Sequence, residues 1–530
     1  MNGDAPSRAS TSGQIANVRD TLLERLGVAA TAWSADGHRF EFVAHLEQSP
    51  DPGSYVRLRL RDGTTRLGQV HRREVVQSAL AQLDVGDLAA GSRATVPVAV
   101  RHAQGDGIVL GRFAGRLLAD DRERQGFIDA ELLPASRADV ASHRALVTAE
   151  SAAMPIGFVT SQPAVRAELR AQGFNRHTLL CGQSGSGKTY STGVLLEQLL
   201  HATDLRFIVI DPNSDYVRLH QMRSFAQVNR GRRDPLSRAA YTRLKARHER
   251  LGRHVKIAGA RGGDLALKVR FSHLTLSEQA LCLRLDPLTD LGEFNMLRHL
   301  VSDLGDDYGA DDVRASAGRV HTGDAERLAI RIENLGVEEW ELWAGPGEHS
   351  IDDFEADTRA LVLDTGSLRD PRERALVALA LFGRLQRRTV REPLLVVVDE
   401  AHNVCPPTAD DPLVTALIDR VVWAAGEGRK YGTFLVVATQ RPQKLHVNVV
   451  SQCENLVLMR INSRTDRDFL AALFSQVPPA LIEASHDFGL GEALVAGPIS
   501  PTPMCCTIGG RFSLEGGADL PASWARRARR

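Results

Sequence analysis

One stretch constrains this chain more than any other: residues 178–189, Thr-Leu-Leu-Cys-Gly-Gln-Ser-Gly-Ser-Gly-Lys-Thr. A short apolar run, Leu179 to Cys181, leads into Gly182-x-x-x-x-Gly187-Lys188-Thr189, and a helix-forming stretch, Tyr190 to Leu200, follows. Strand, glycine-rich turn and helix in that order are the context a P-loop requires. Gly182, Gly185 and Gly187 free the backbone of Cβ clashes, so the N–H groups of Gln183, Ser184, Ser186 and their neighbours through Tyr190 can converge on phosphate. The helix N-terminus adds partial positive charge. Lys188 can reach the β- and γ-phosphates, and the Thr189 hydroxyl suits Mg²⁺. The pattern points to a nucleoside triphosphate, with ATP and Mg²⁺ as the expected ligands.

A P-loop binds but need not hydrolyse, so the strand-end carboxylates matter next. Leu394 to Val398 ends in Asp399-Glu400. A carboxylate at the end of a buried strand can hold Mg²⁺, and one residue on, Glu400 is placed to polarise water. The strand Thr433 to Ala438 ends in Thr439-Gln440-Arg441-Pro442. If the two strands are neighbours, Gln440 faces the γ-phosphate and can orient water or report loss of that phosphate. Arg429 lies in Gly426-Glu-Gly-Arg-Lys-Tyr-Gly432. Its position suits either a guanidinium projected into another subunit's site or a solvated helix C-terminal cap.

Apolar runs at 206–210, 359–363, 394–398, 433–438 and 455–459 are short and continuous. Such runs fit parallel strands buried on both faces, and helical stretches separate them. The fold class expected is therefore α/β with a mostly parallel sheet. Before it, from about 28 to 135, the character is β. Val56, Leu58 and Leu60 alternate with Arg57, Arg59 and Arg61, and Asp62-Gly63 makes a hairpin turn. Further strands are expected at 38–45, 65–70, 94–100 and 107–118, forming a small sandwich or barrel. The outward arginines read as a solvated sheet face in preference to a DNA contact.

The expected division is a leader at 1–14, a short amphipathic helix and β region at 15–145, and the ATPase core at 146–510 with a helical insertion at 272–358. A tail at 511–530 closes in Arg-Arg-Ala-Arg-Arg. A linker is expected near 136–155. Residues 218–261 are rich in arginine and are the candidate phosphate-contacting surface for a nucleic acid, with Arg232 and Arg233 as its test positions; a solvated basic helix is the competing reading.

The totals exclude more than they assign. With 530 residues, more than one domain is expected. Formal net charge is zero, so affinity for a polyanion has to come from a local patch. No apolar run reaches the ~20 residues that span a bilayer. Six cysteines are sparse and none forms a C-x-x-C pair, which fits a reducing cytoplasm without disulfides or structural zinc.

Val396-Val-Val-Asp-Glu-Ala-His-Asn403 resembles the Walker B segment of the HerA-type ATPases within the FtsK–HerA superfamily. Ile210-Asp211-Pro212-Asn213-Ser214-Asp215-Tyr216 is similar to that family's Asp-Pro-His-Gly-Glu-Tyr motif, with Asn213 in place of His and Asp215 in place of Glu. Glu427 to Gly432 and Thr439 to Pro442 match its finger and sensor segments in order, and Arg176-His177 and the β region with Gly68-Gln69-Val70 also fit. The resemblance implies a RecA-like core behind a HerA-type β-barrel, in a ring-forming, usually hexameric, ATP-driven DNA translocase or helicase. Such a ring works with a separate nuclease or NAD-cleaving effector, in DNA end processing or anti-phage defence. It also implies that Arg429 is a finger acting on the adjacent subunit, with Asp211, Asp215 and Arg441 around the site. The alternative is an ATP-binding scaffold that assembles and switches its effector with little unwinding of its own.

Overall fold

The computed structural model describes residues 30–77, 81–86, 93–98, 101–118, 125–149, 151–345, 347–351, 358–389 and 391–517. The expected helix at 15–26, the leader, and the tail beyond 517 lie outside these residues. The described chain divides into two compact units.

The first unit is a closed barrel of six strands. Arg39–Ala44, Thr31–Ser34, Phe127–Pro134, Tyr55–Arg59, Thr65–Gln77 and Arg101–Ala114 are hydrogen-bonded in that order, and the last pairs back with the first. Closure leaves these six strands without a free edge. Alternation decides the faces: Val56 and Leu58 are buried with Phe40, Phe42, Val70 and Leu132 inside. Gly68, Gly105 and Gly107 make room for the two phenylalanine rings, since a Cβ at any of them would come within 2.8 Å of Phe40 or Phe42. On the outer face Arg57 pairs with Asp139 at 2.6 Å and Arg59 with Glu131 at 2.9 Å, and Arg61 pairs with Asp129. Each of these arginines already has an acid partner, as a solvated sheet face requires.

The expected linker near 136–155 is instead largely helix, Arg137–Thr148. Ser136 and Asp139 form a reciprocal cap, with Asp139 N–H on the Ser136 hydroxyl at 3.2 Å and Ser136 N–H on the Asp139 carboxylate at 2.9 Å. That pair was the available sequence signal.

The second unit is built on one large mixed sheet. Eight strands form its parallel part, in the order Cys453–Leu458, His177–Cys181, Thr433–Thr439, Leu394–Val398, Arg206–Asp211, Ala360–Asp364, Val255–Gly259 and Leu265–Ala266. Glu492–Gly497, Ser500–Ile508 and Ala153–Val159 extend one edge antiparallel. The α/β class with a mostly parallel sheet and an N-terminal β-barrel is what the sequence led us to expect. Val255–Gly259 corrects one detail: the arginine-rich stretch ends in a core strand, with Val255, Ile257 and Ala258 buried. The insertion is helical as expected, with Leu276–Cys282, Leu291–Asp303, Ala310–Ala317 and Gly323–Leu335 burying Leu297, Leu300, Val313, Leu328 and Ile332.

Parallel pairing brings the functional segments to one edge. Cys181 pairs with Thr439, and Ile210 pairs with Val398, so the segments beginning at Gly182, Asp211, Asp399 and Gln440 all leave the sheet at the carboxyl ends of its strands. Ligands of open α/β sheets bind at that edge.

Candidate active site

The loop Gly182–Gly187 joins the strand His177–Cys181 to the helix Lys188–Ala202. Gly185 and Gly187 have φ of 75° and 97°, the left-handed region that side chains resist. The loop is anchored by Gln183 N–H on the Arg460 carbonyl at 2.9 Å and by the Gln183 side chain, which accepts from Asn462 N–H at 3.0 Å. Ser184 and Gly185 are exposed, whereas the Ser186 hydroxyl is buried without a hydrogen-bond partner. Thr189 and Tyr190 follow in the first helical turn, half-buried.

Lys188 is 5% exposed and sits between two carboxylates, 2.8 Å from Asp399 and 3.0 Å from Glu400. Burial works against its ammonium, but the charges of Asp399 and Glu400 outweigh it and raise its pKa above the usual lysine value. Glu400 has φ of 44°, one of four described non-glycine residues with positive φ. Backbone strain of this kind persists where surrounding contacts over-determine it. Here they do: Gln440 Nε2 donates to Glu400 at 2.6 Å, and His402 Nδ1 lies 3.4 Å from the other carboxylate oxygen. His402 Nδ1 also meets the Thr439 hydroxyl at 3.1 Å. Burial lowers the His402 pKa against the pull of Glu400, which favours a neutral ring.

The segment after Asp211 wraps round that carboxylate. Asp211 accepts from the N–H groups of Asp215 at 3.0 Å and Tyr216 at 2.8 Å. Burial raises its pKa to about 7 despite those two bonds, and burial together with the Asp399 charge raises Asp215 to about 6. The outcome is that Tyr216, fully buried, donates its hydroxyl to Asp399 at 3.2 Å. Sequence reasoning singled out Asp211 and Asp215 but gave Tyr216 no role. Its distance from Asp399 in the chain hides a contact that only strand adjacency creates.

A second contact set was invisible in the sequence. Arg511, expected in an extended tail, is 1% exposed in the core. Its guanidinium lies 3.8 Å from the buried Glu197 and 5.8 Å from the centre of the Tyr216 ring. Gly193 permits this, because a Cβ there would meet the guanidinium at 2.4 Å. Around it, Arg511 N–H donates to the Tyr190 hydroxyl at 2.6 Å, and the N–H groups of Phe512 and Ser513 donate to Glu197. Leu514 N–H reaches the Gln221 carbonyl at 2.8 Å, and Gly516 N–H reaches that of Asp215 at 3.0 Å. The strap 511–516 thus ties the P-loop helix to the 211–223 segment.

Arg429 stands apart from this cluster. It precedes the strand Thr433–Thr439, whose far end carries Gln440. Seven residues at roughly 3.3 Å each put it about 20 Å from its own P-loop edge. There it pairs with Glu454 at 2.7 Å, which also holds Arg176 at 3.1 Å. Arg441 is exposed beside the site, its N–H bonded to the Thr439 hydroxyl at 3.1 Å. Arg232 and Arg233, the test positions of the candidate phosphate-contacting surface, line a concave space beside Gly187 and Tyr190.

Residues 154–296 match the family model described as the central domain of helicase HerA. That stretch is similar to a HerA central domain. Over 126 residues the chain is 32% identical to the DNA double-strand break repair helicase HerA of Pyrococcus furiosus, covering 24% of this chain and 22% of that protein. The HerA of Saccharolobus solfataricus is 30% identical over 127 residues, 24% of this chain and 25% of its own length. This chain therefore aligns with about a quarter of the length of these HerA relatives. Among solved structures, VirB4 of Thermoanaerobacter pseudethanolicus is similar over 70% of this chain and 98% of its own, at 16% identity and a TM-score of 0.44.

The donor set at this edge fits a nucleotide and its metal ion. Gly185 and Gly187 hold the loop in left-handed backbone, the Ser186 hydroxyl is buried and unpartnered, and a lysine stands between two carboxylates. Thr189 and Asp399 are the residues that would hold Mg²⁺, which supplies charge neutralisation on the phosphates.

Proposed function

We propose that this protein is an oligomeric ATPase of the HerA type that acts on DNA. The observation that carries the reading is the Glu400–Gln440 pair beside Lys188 and Asp399, at the sheet edge where the P-loop ends. Phosphate on the loop competes for the Lys188 ammonium and loosens it from Glu400. Glu400 is then free to take a proton from water, and Gln440, already bonded to it, holds that water in line. Tyr216 keeps the second Asp399 oxygen oriented.

Arg429 supports the oligomeric part. At the strand-start side of the sheet it is out of reach of its own phosphates, so its catalytic use requires a neighbouring subunit. Edge-to-edge packing in a ring brings that side of one sheet to the P-loop edge of the next. Such a finger raises turnover by about 10³- to 10⁵-fold. The helicase names of the matched relatives suggest DNA as the track. A partner nuclease or effector, and a role in end processing or anti-phage defence, extend the same proposal.

The test is ATP hydrolysis with and without duplex DNA, paired with the mass of the assembly in solution. DNA-stimulated turnover by a ring supports the reading. Full turnover by a monomer at every concentration overturns it.

A further inference from the structure

Arg511 on the strap and Glu197 on the P-loop helix are both buried, and their charged groups lie 3.8 Å apart. That separation is too long for a hydrogen bond. Glu197 is already answered without one, because both of its oxygens accept from the Phe512 N–H at 3.1 Å and one also accepts from the Ser513 N–H. The guanidinium is held instead by its own stretch of chain. Its Nε donates to the Ser513 hydroxyl at 3.1 Å and its Nη2 to the Leu514 carbonyl at 3.2 Å. A planar group fixed at two corners is rigid relative to the strap, and Gly193 leaves it room against the helix. Buried ion pairs add little stability over apolar groups of similar size, so stability alone does not account for a guanidinium here.

What the guanidinium meets is Tyr216. Its carbon lies 5.8 Å from the centre of that ring, within the roughly 6 Å over which a cation is drawn to an aromatic face. The far end of the same side chain donates to Asp399 Oδ2 at 3.2 Å. The other Asp399 oxygen has separate partners: Oδ1 accepts from Lys188 at 2.8 Å and from the Glu400 N–H at 2.9 Å. The main chain of Tyr216 is also fixed separately, by its N–H on Asp211 at 2.8 Å. Arg511 bears on the ring, and the ring bears on Oδ2.

We propose that Arg511 is a positioning residue for ATP hydrolysis: it steadies the Tyr216 ring and, through the Tyr216 hydroxyl, the second carboxylate oxygen of Asp399. The proposal rests on the ATPase reading given above. It makes the site depend on a side chain that lies beyond every motif in the sequence, and it gives the strap a part in the chemistry as well as in the fold.

Arg511→Met removes the charge and leaves Glu197 buried without a cation nearby, so any loss it causes has to be separated from a loss of fold. Adding Glu197→Gln removes the second charge and should bring the melting temperature back toward the parent. In that double variant kcat is expected to stay about three- to tenfold low, the scale of one lost hydrogen bond. The Mg²⁺ concentration at which the non-hydrolysable analogue AMP-PNP binds half-maximally should rise as well. Parent-like kcat and Mg²⁺ dependence in a double variant that melts like the parent overturn the proposal. A second comparison does not need the double variant to be stable. In a Tyr216→Phe background the hydroxyl is already gone, so Arg511→Met should lower kcat by a smaller factor than it does in the parent. Equal factors in the two backgrounds show that Arg511 does not act through Tyr216, and they overturn the proposal. A parent chain that fails to hydrolyse ATP overturns the ATPase reading instead. The Mg²⁺ dependence of AMP-PNP binding then decides on Arg511 in the same two backgrounds.

Discussion

Gln440 Nε2 donates to Glu400 Oε1 across 2.6 Å, joining the ends of two adjacent parallel strands. The same Glu400 oxygen lies 3.0 Å from Lys188, so one carboxylate oxygen links Lys188 to Gln440. A displacement of Lys188 therefore changes the surroundings of Gln440 through a single side chain.

Glu400→Gln is expected to bind ATP normally and to lower turnover by about 10²- to 10⁴-fold, the range for loss of a general base. Gln440→Ala should also reduce turnover while sparing ATP affinity. Single-turnover hydrolysis beside equilibrium binding measures both. Unchanged hydrolysis in Glu400→Gln removes that residue from the base role.

Lys188→Ala leaves Asp399 and Glu400 buried without their shared cation. Breaking a buried ion pair from one side costs roughly 3–5 kcal/mol, so this variant should melt at a lower temperature as well as lose nucleotide. Lys188→Ala with Glu400→Gln removes one of the uncompensated charges and should recover part of the stability without recovering binding. Thermal melts of the two variants decide it.

Tyr216→Phe removes only the hydroxyl that Asp399 accepts at 3.2 Å. The ring stays in place under Arg511. The expected outcome is an intact fold, a several-fold fall in kcat and a shift in the Mg²⁺ concentration needed for half-maximal rate. A variant indistinguishable from the parent across a Mg²⁺ titration shows that the contact does not matter.

Arg429→Ala should abolish turnover in uniform assemblies. Mixed with Glu400→Gln subunits it should regain some, because junctions then arise with an intact Glu400 on one side and an intact Arg429 on the other. Mixtures no more active than either variant alone count against a finger acting between subunits.

His143 makes the barrel acid-sensitive. It is buried against Tyr55 with neither ring nitrogen hydrogen-bonded, and burial first, then the nearby Arg144 charge, lowers its pKa from 6.5 to about 3. The folded pKa is depressed, so the stabilisation is complete above about pH 6.5 and is lost as pH falls from there toward 3. Melting temperature should drop across that window, and His143→Phe should flatten the drop. An equal acid slope in His143→Phe refutes this.

The parallel core was legible because strands buried on both faces appear as unbroken apolar runs, and 394–398 needed no adjustment. Val255–Gly259 is just as buried, but its few apolar residues follow a helix crowded with arginine, so composition hid it. The antiparallel edge was missed for a different reason: strands such as Ser500–Ile508 mix Ser, Thr and Pro with apolar residues and give no clean period. Within the site, Lys188, Asp399, Glu400 and Gln440 could be named because short motifs have local grammar. Tyr216 on Asp399 and Arg511 beside Glu197 could not, since their partners lie far away in the chain and meet only after the sheet assembles.

The strap gives the protein an order of assembly. Tyr190 and Arg511 are bonded across 321 positions, and the 211–216 turn leans on residues that a ribosome adds only near the finish of the described chain. Contacts of such long separation form late and slowly. During synthesis the glycine loop therefore emerges well before the strap that packs against its helix and the 211–216 turn.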